Sequence, residues 1–482
     1  MRRPVLYALS ILALALFGCD GGSGGDAGGQ PDAGRGDAGS LRDGGRPRDA
    51  DPPRPDTGPT PAACALPTPF DVGATYARTL HVSTSGSDSA DGSEGAPLAT
   101  LREAARRATP GTRVRMAAGT YGGSTYLESV HGEATRPIAI VADGEVVLDA
   151  GGAGEALHVT DPRYLVIEGL TIQNASGNGL NIDDGGSPET PAEHVVLRGL
   201  TVRDVGTGGN NDCIKLSGLD RFFVLGSDIS GCNAGDAIDM VGCHEGVISG
   251  NDIHDAFGGG IQAKGGSADT VIHGNRFRDV RGRSINAGGS TGLEFFRPID
   301  APYEAARLRV VANVFVRSGE SSGAPIAYVG CDGCVFANNT IVEPLTWVAR
   351  ILQETTDARF VPCRDGVFAN NLVVLNVDVV RAIVNVGGNT APETFTFAND
   401  LWWALDRDAS WAGPSIDSSI PPEASPVIQE DPELADLASG DYRISATSPA
   451  AGAGRAIAGA PYPDFDGRCY DDPPAVGAFT TP

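Results

Sequence analysis

The chain has 482 residues, a formal net charge of −25 at pH 7 and 41% hydrophobic residues. Such an acidic balance excludes general binding to nucleic acid or anionic lipid; an anionic ligand needs a local positive patch or a bridging cation. Length alone suggests two domains, but a repeat architecture absorbs it as one, with no nucleic-acid module in sight.

Arg2 and Arg3 precede an apolar run over 5–17. It is too short to span a bilayer as a helix and has the flanks of a secretory signal. The run closes on Leu16-Phe17-Gly18-Cys19, which resembles the bacterial lipobox. That resemblance implies a lipoprotein signal over 1–19, cleaved so that Cys19 becomes the new N-terminus and carries the lipid, placing the protein in the cell envelope, either at the outer membrane or cell surface or in the periplasm. Lipid is then its only expected membrane contact. Asp20 after the lipid cysteine marks inner-membrane retention in some bacterial lineages. Residues 20–63 are Gly, Asp, Pro, Ala, Arg and Ser with almost no large apolar side chain. Too little surface can be buried there to offset ordering, so the segment reads as a disordered tether.

Next comes a helical signal, in which Leu98, Leu101, Ala105 and Ala108 make one apolar stripe suited to capping a sheet edge. From residue 165 onward, nine strand-length segments align: LVIEGLTI, VVLRGLTV, FFVLGSDI, GVISGNDI, TVIHGNRF, RVVANVFV, CVFANNTI, GVFANNLV and FTFANDLW. Their fifth positions are Gly169, Gly199, Gly226, Gly250, Gly274, Asn313, Asn338, Asn370 and Asn399. No segment can bury its inward side chains alone, so the strands must stack. A second strand follows in most repeats, with Leu180, Ile214, Ile238, Ile261, Ile285 and Ile326 inward. Alternation turns Asn181, Lys215, Asp239, Gln262 and Asn286 outward. Asn251, Asn275, Asn339 and Asn371 fit a structural ladder inside a turn.

The opening over 81–121 and the closing DYRISATSPAAGAGRAI, PDFDGR and VGAF resemble the ends of bacterial parallel β-helix proteins. The resemblance implies an all-β, right-handed parallel β-helix with an N-terminal helical cap, over 64–415, and a tail over 416–482 packed on the last coils. A monomer is expected.

Eight cysteines remain once Cys19 is assigned to lipid, an even set that suggests disulfides in an exported protein. Cys331 and Cys363 each lie three residues before their repeat begins. They therefore stack on adjacent turns about 4.8 Å apart, and a bridge between them is expected. Cys331-x-x-Cys334 has no partner pair, so zinc is not expected.

Chemistry concentrates on the outer face of the second strands. Asp212 and Asp236 both lie two residues before an inward Ile, and Asp239 follows one residue after Ile238. Carboxylates stacked this closely repel one another, and oxygen-only ligands favour Ca²⁺. Two alternatives stand beside calcium: Asp212 and Asp236 cap turns, or Lys215 neutralises part of the cluster. His244, His254 and His273 are scattered and read as surface histidines.

GIQAKGGSAD, over 260–269, resembles the strand of alginate lyases and chondroitinase B whose Ile-x-x-Lys-Ser pattern supplies the catalytic base. GDAID resembles the Asp-rich strand of stacked-aspartate pectate lyases. These resemblances imply β-elimination on an acidic, uronic-acid-containing polysaccharide. Lys264 is then the base, with Arg283 and Asn286 assisting; Asp212, Asp236 and Asp239 sit around calcium, and Lys215, Gln262 and Arg281 hold substrate. Two departures stand against it. Gly288 fills the position where the first family has arginine, and Gln262 the position where the second has lysine. The Gly-His-Gly and Arg-Ile-Lys motifs of pectin hydrolases are absent. The competing expectation is a non-catalytic carbohydrate-binding or structural coil; an epimerase shares the proton abstraction.

Overall fold

The computed structural model describes residues 64–482 apart from Pro188 and Ser321. The signal, Cys19 and the tether lie outside the described residues. Among the described residues no helix is long and apolar enough to cross a membrane.

The repeats stack as expected. Their second strands form one 10-stranded parallel sheet, and the remaining coil strands form a 21-stranded sheet and a short 3-stranded one. In the first of these, Ile214 lies beside Ile238, Ile238 beside Ile261, Ile261 beside Ile285, and Ile285 beside Ile326. All five are at most 1% exposed and belong to one continuous core. A two-residue side-chain period fixes this register, because a slip by one would turn the isoleucine column to water.

The cap is also present. Helix Leu101–Arg107 starts at Thr100, whose hydroxyl accepts from the Glu103 N–H, and it buries Leu101, Ala104 and Ala105. It packs against strand Thr125–Glu128, the first of the 10-stranded sheet, so this edge does not face water bare.

The RVVANVFV segment is out of step by one. Arg309 pairs with Val335, not with Cys334, so the corner residue is Ala312 (φ 58°) and not Asn313. Asn313 lies instead on the buried ladder. Its Oδ1 accepts from the Asn275 N–H at 2.9 Å, and its own N–H donates to Asn339 Oδ1 at 3.0 Å. The ladder therefore runs through Asn251, Asn275, Asn313, Asn339 and Asn371 to Asp400, whose N–H donates in turn to Glu423. Each rung satisfies a backbone donor that the bend would leave buried and unpaired.

The coil also runs past 415, since Val427–Ile428 pairs in parallel with Leu401–Ala404. Beyond it, Tyr442, Ile444, Val476 and Phe479 cover the outward valines Val314, Val316, Val342 and Val374. That cover explains why these late strands are apolar on both faces.

Disulfides join Cys64 to Cys469, Cys213 to Cys232, and Cys331 to Cys334. The expected bridge between Cys331 and Cys363 is not formed, and Cys363 is a buried free thiol, as is Cys243. The register was sound, because Asp332 lies beside Arg364 and stacks the preceding cysteines. Cys334, however, turns inward beside Cys331 with a Cα separation of 6.3 Å, within bridging range, and takes its place.

Candidate functional site

The outer face of the 10-stranded sheet carries the candidate site. Backbone pairing aligns Lys215 with Asp239, Asp239 with Gln262, and Gln262 with Asn286. A second outward column two residues on aligns Val241 with Lys264. The expected groups thus share one face of the coil. They are less open than expected, because Asp212 and Asp239 are fully buried beneath the two lysines.

Lys215 and Lys264 converge on one atom. Both ammonium groups meet Asp239 Oδ2, Lys264 at 3.2 Å, and Lys215 also donates to Asp212 Oδ2 at 3.4 Å. Lys264 donates in addition to Gln262 Oε1 at 3.1 Å. Among the described residues, the other Asp239 oxygen is buried with no hydrogen-bond partner. A buried carboxylate is tolerable when paired, and two cations sharing one oxygen provide that pairing.

Asp212 and Asp236 serve the backbone as well as the cluster. Asn178 Oδ1 accepts from the Asp212 N–H, Asp212 Oδ1 from the Asp236 N–H, and Asp236 Oδ1 from the Gly259 N–H. This is a second ladder at the strand entrance, and it supports the turn-capping alternative for both residues. Burial, then the charge of Asp239, pushes the Asp212 carboxyl up to about 6. Burial, then Asp239 and Asp212, pushes Asp236 up to about 7. The disulfide from Cys213 to Cys232 ties the strand next to Asp212 across its own coil.

The three aspartates do not make a ready calcium cage. Among the described residues, the acidic group whose ligand atoms all lie within 4.8 Å of one another is Asp228, Asp252 and His254, on a different face. At the candidate site two carboxylates each commit an oxygen to the next coil, and two ammonium groups occupy the third. That arrangement does not fit calcium, which needs six to eight converging oxygens.

Two clefts flank the cluster. One, of about 470 Å³, is lined by Asp236, Phe257, Arg281, Arg283, Asn286 and Glu320. Arg283 donates to Asn286 Oδ1 at 3.1 Å and to Glu354 at 2.7 Å, while Arg281 lies 5.3 Å over the Phe257 ring. Arg283 therefore reaches the cleft beside Asp236 but makes no contact with Lys264. The other cleft, of about 610 Å³, is lined by Lys215, Lys264, Asp184, Thr291, Phe295 and Arg297.

Gly288 occupies the position beside Lys264, and it cannot be replaced by arginine. Its φ is 116°, and a Cβ there would sit 1.6 Å from the Val329 carbonyl oxygen. The missing arginine of the lyase resemblance is thus excluded by the backbone. Glu304 had no signal in the sequence, yet it is fully buried and accepts from the Gly265 N–H at 2.9 Å, fixing the turn after Lys264. The histidines divide. His244 pairs with Asp220 and His254 with Asp255, whereas His273 is buried against the tail, bonded to the Pro463 carbonyl at 2.8 Å.

Residues 155–341 match the family described as right handed beta helix region. The uncharacterized protein YwoF of Bacillus subtilis (strain 168) is 30% identical over 142 residues, 27% of this chain and 29% of that protein. The chain thus spans under a third of this curated relative. Among solved structures, pectate lyase Pel9A is similar with a TM-score of 0.48 and 17% identity, over 85% of this chain and 98% of its own. An alginate lyase from Paenibacillus sp. str. FPU-7 is similar with a TM-score of 0.41 and 20% identity, over 65% of this chain and 99% of its own. At such identities and TM-scores these likenesses carry no argument, and the activity has to be argued from the residues. With parallel stacking, inward isoleucines and polar ladders at its corners, the coil of this chain is a right-handed parallel β-helix.

Proposed function

We propose that the protein is a cell-surface polysaccharide lyase that cleaves a uronic-acid-containing polysaccharide by β-elimination. One observation carries the reading: Lys215 and Lys264, which line one cleft, bring two ammonium groups onto the buried carboxylate of Asp239. The proton next to a uronate carboxylate becomes acidic only once that carboxylate is neutralised, and Lys215, which lines the cleft, supplies that charge. Lys264 in its neutral form takes the proton from C5. The electron pair forms the C4–C5 double bond as the C4–O bond breaks. The departing oxygen takes a proton from Asp236, whose carboxyl near 7 still holds one in part of the population at neutral pH. Arg283 and Asn286, in the neighbouring cleft that Asp236 lines, hold the sugar together with Gln262, and Arg281 lines the wall of that neighbouring cleft. The positive charge expected of calcium is assigned to Lys215. Surface attachment rests on Cys19.

A second reading has its own support. Asp212 and Asp236 each give an oxygen to a backbone ladder, as Asn178 does, which a non-catalytic carbohydrate-binding coil would need equally. The test incubates the protein with alginate, polygalacturonate and acidic glycosaminoglycans and follows ultraviolet absorbance of unsaturated ends. Lys264→Ala should lower the rate by roughly 10²–10⁴-fold, and a chelator should change it by less than about twofold. Abolition by chelator with recovery on added Ca²⁺ would return the role to calcium. Absorbance on no substrate would leave the binding reading.

A further inference from the structure

We infer that Phe295 is a stacking platform for a sugar ring of the substrate, held at the mouth of the cleft by a pinned loop. The inference rests on the proposed reading for the chemistry at Lys264, but not for the ring contact. The longest spacing in the repeat, between Gly274 and the next corner, contains the insertion 289–301. Long loops on a solenoid are where binding residues gather. This one is fastened at several points. Glu304 accepts from the Thr291 N–H at 3.0 Å and from its hydroxyl at 2.8 Å, while also holding Gly265 and Thr355. Phe296 is buried, edge-on to Phe360 at 5.2 Å. Arg297 donates through both terminal nitrogens to Asp220 at 2.8 Å.

Against these anchors Phe295 stands out. It ends the short turn Leu293–Phe295 and is 64% exposed on the cleft wall that also carries Lys215 and Lys264. A phenyl ring kept largely in water by a rigid loop forgoes favourable burial. Its rigidity means that a ligand ring can cover it with little ordering cost. The C–H face of a pyranose suits such a ring, and the ammonium groups select a sugar that carries a carboxylate. Uronic-acid oligosaccharides of three to six units meet both requirements.

The test measures binding of such oligosaccharides, and of neutral xylo- and cello-oligosaccharides, to the full chain carrying Lys264→Ala, with and without Phe295→Ala. Loss of Phe295 should weaken binding of the acidic oligomers by about tenfold, with Phe295→Trp restoring it. In the Lys264 protein the same change should raise KM and leave kcat within about twofold. Equal affinity with and without Phe295 overturns the inference, as does binding to no oligomer of the panel. A dimer that Phe295→Ala dissolves also overturns it, since a second copy would then be what covers the ring. Phe295-dependent binding with no unsaturated product keeps the platform and ends the lyase reading. Product with an unchanged KM does the reverse.

Discussion

The carboxyl of Asp236 is held where its charge is costly. Burial and two neighbouring carboxylates raise it from its ordinary 3.8 to about 7, and Asp212 shifts the same way to about 6. Between pH 4 and 7 the folded chain keeps a proton that the unfolded chain has released, so this residue's contribution to stability falls as pH rises through that window. Asn178 shows that an amide can occupy the same ladder, because its Oδ1 accepts the Asp212 N–H at 2.8 Å. Asp236→Asn should therefore lose the pH dependence without losing the rung. Its Tm should gain on that of the parent by at least ~2 °C from pH 4 to 7.5, measured by differential scanning calorimetry. A gap constant across that range would show that Asp236 is ionised throughout. At this scale the sequence was only partly informative. The stacking of Asp212, Asp236, Asp239 and Lys264 was legible from spacing. The burial of Asp239 was not, because it depends on two long side chains reaching back across coils.

Among the elements, the buried asparagine ladder has most at stake. Asn275 donates to the Ile248 carbonyl at 2.9 Å and accepts the Asn251 N–H at 3.0 Å, both buried. Asn275→Ala leaves a buried donor and a buried acceptor unpaired, at a cost of about 2–4 kcal/mol. Urea unfolding of the variant should show the midpoint falling with an unchanged slope; a loss below about 1 kcal/mol would mean that water replaces the amide. The strands themselves were readable from Val, Ile and Phe between Gly or Asn corners. The exception is instructive. In RVVANVFV the corner is an alanine at φ 58°, a backbone that alanine rarely adopts, and the following asparagine imitated the corner residue. Only the ladder partners, Asn275 and Asn339, fix which of the two turns the chain. The Cys331 pairing failed for a similar reason, since inter-coil register and a local turn both offered a partner.

At the level of the whole molecule, the bond from Cys64 to Cys469 spans 405 residues and joins the first described residue to the tail. The tail's Tyr442, Ile444 and Phe479 bury the outward valines of the late coils, so loosening it would expose them. Replacing both cysteines with serine should lower stability by about 2–4 kcal/mol, read as a lower urea midpoint. An unchanged midpoint would show that packing alone holds the tail. The bond also governs mechanics. Solenoid repeats hold mainly to their neighbours, and a pull entering at one terminus would peel them one after another. Here tension arriving at Cys64 passes through sulfur straight to the C-terminal tail, and the intervening coils lie on a slack bypass. Peeling from the N-terminal side would have to wait until that covalent shortcut is cut.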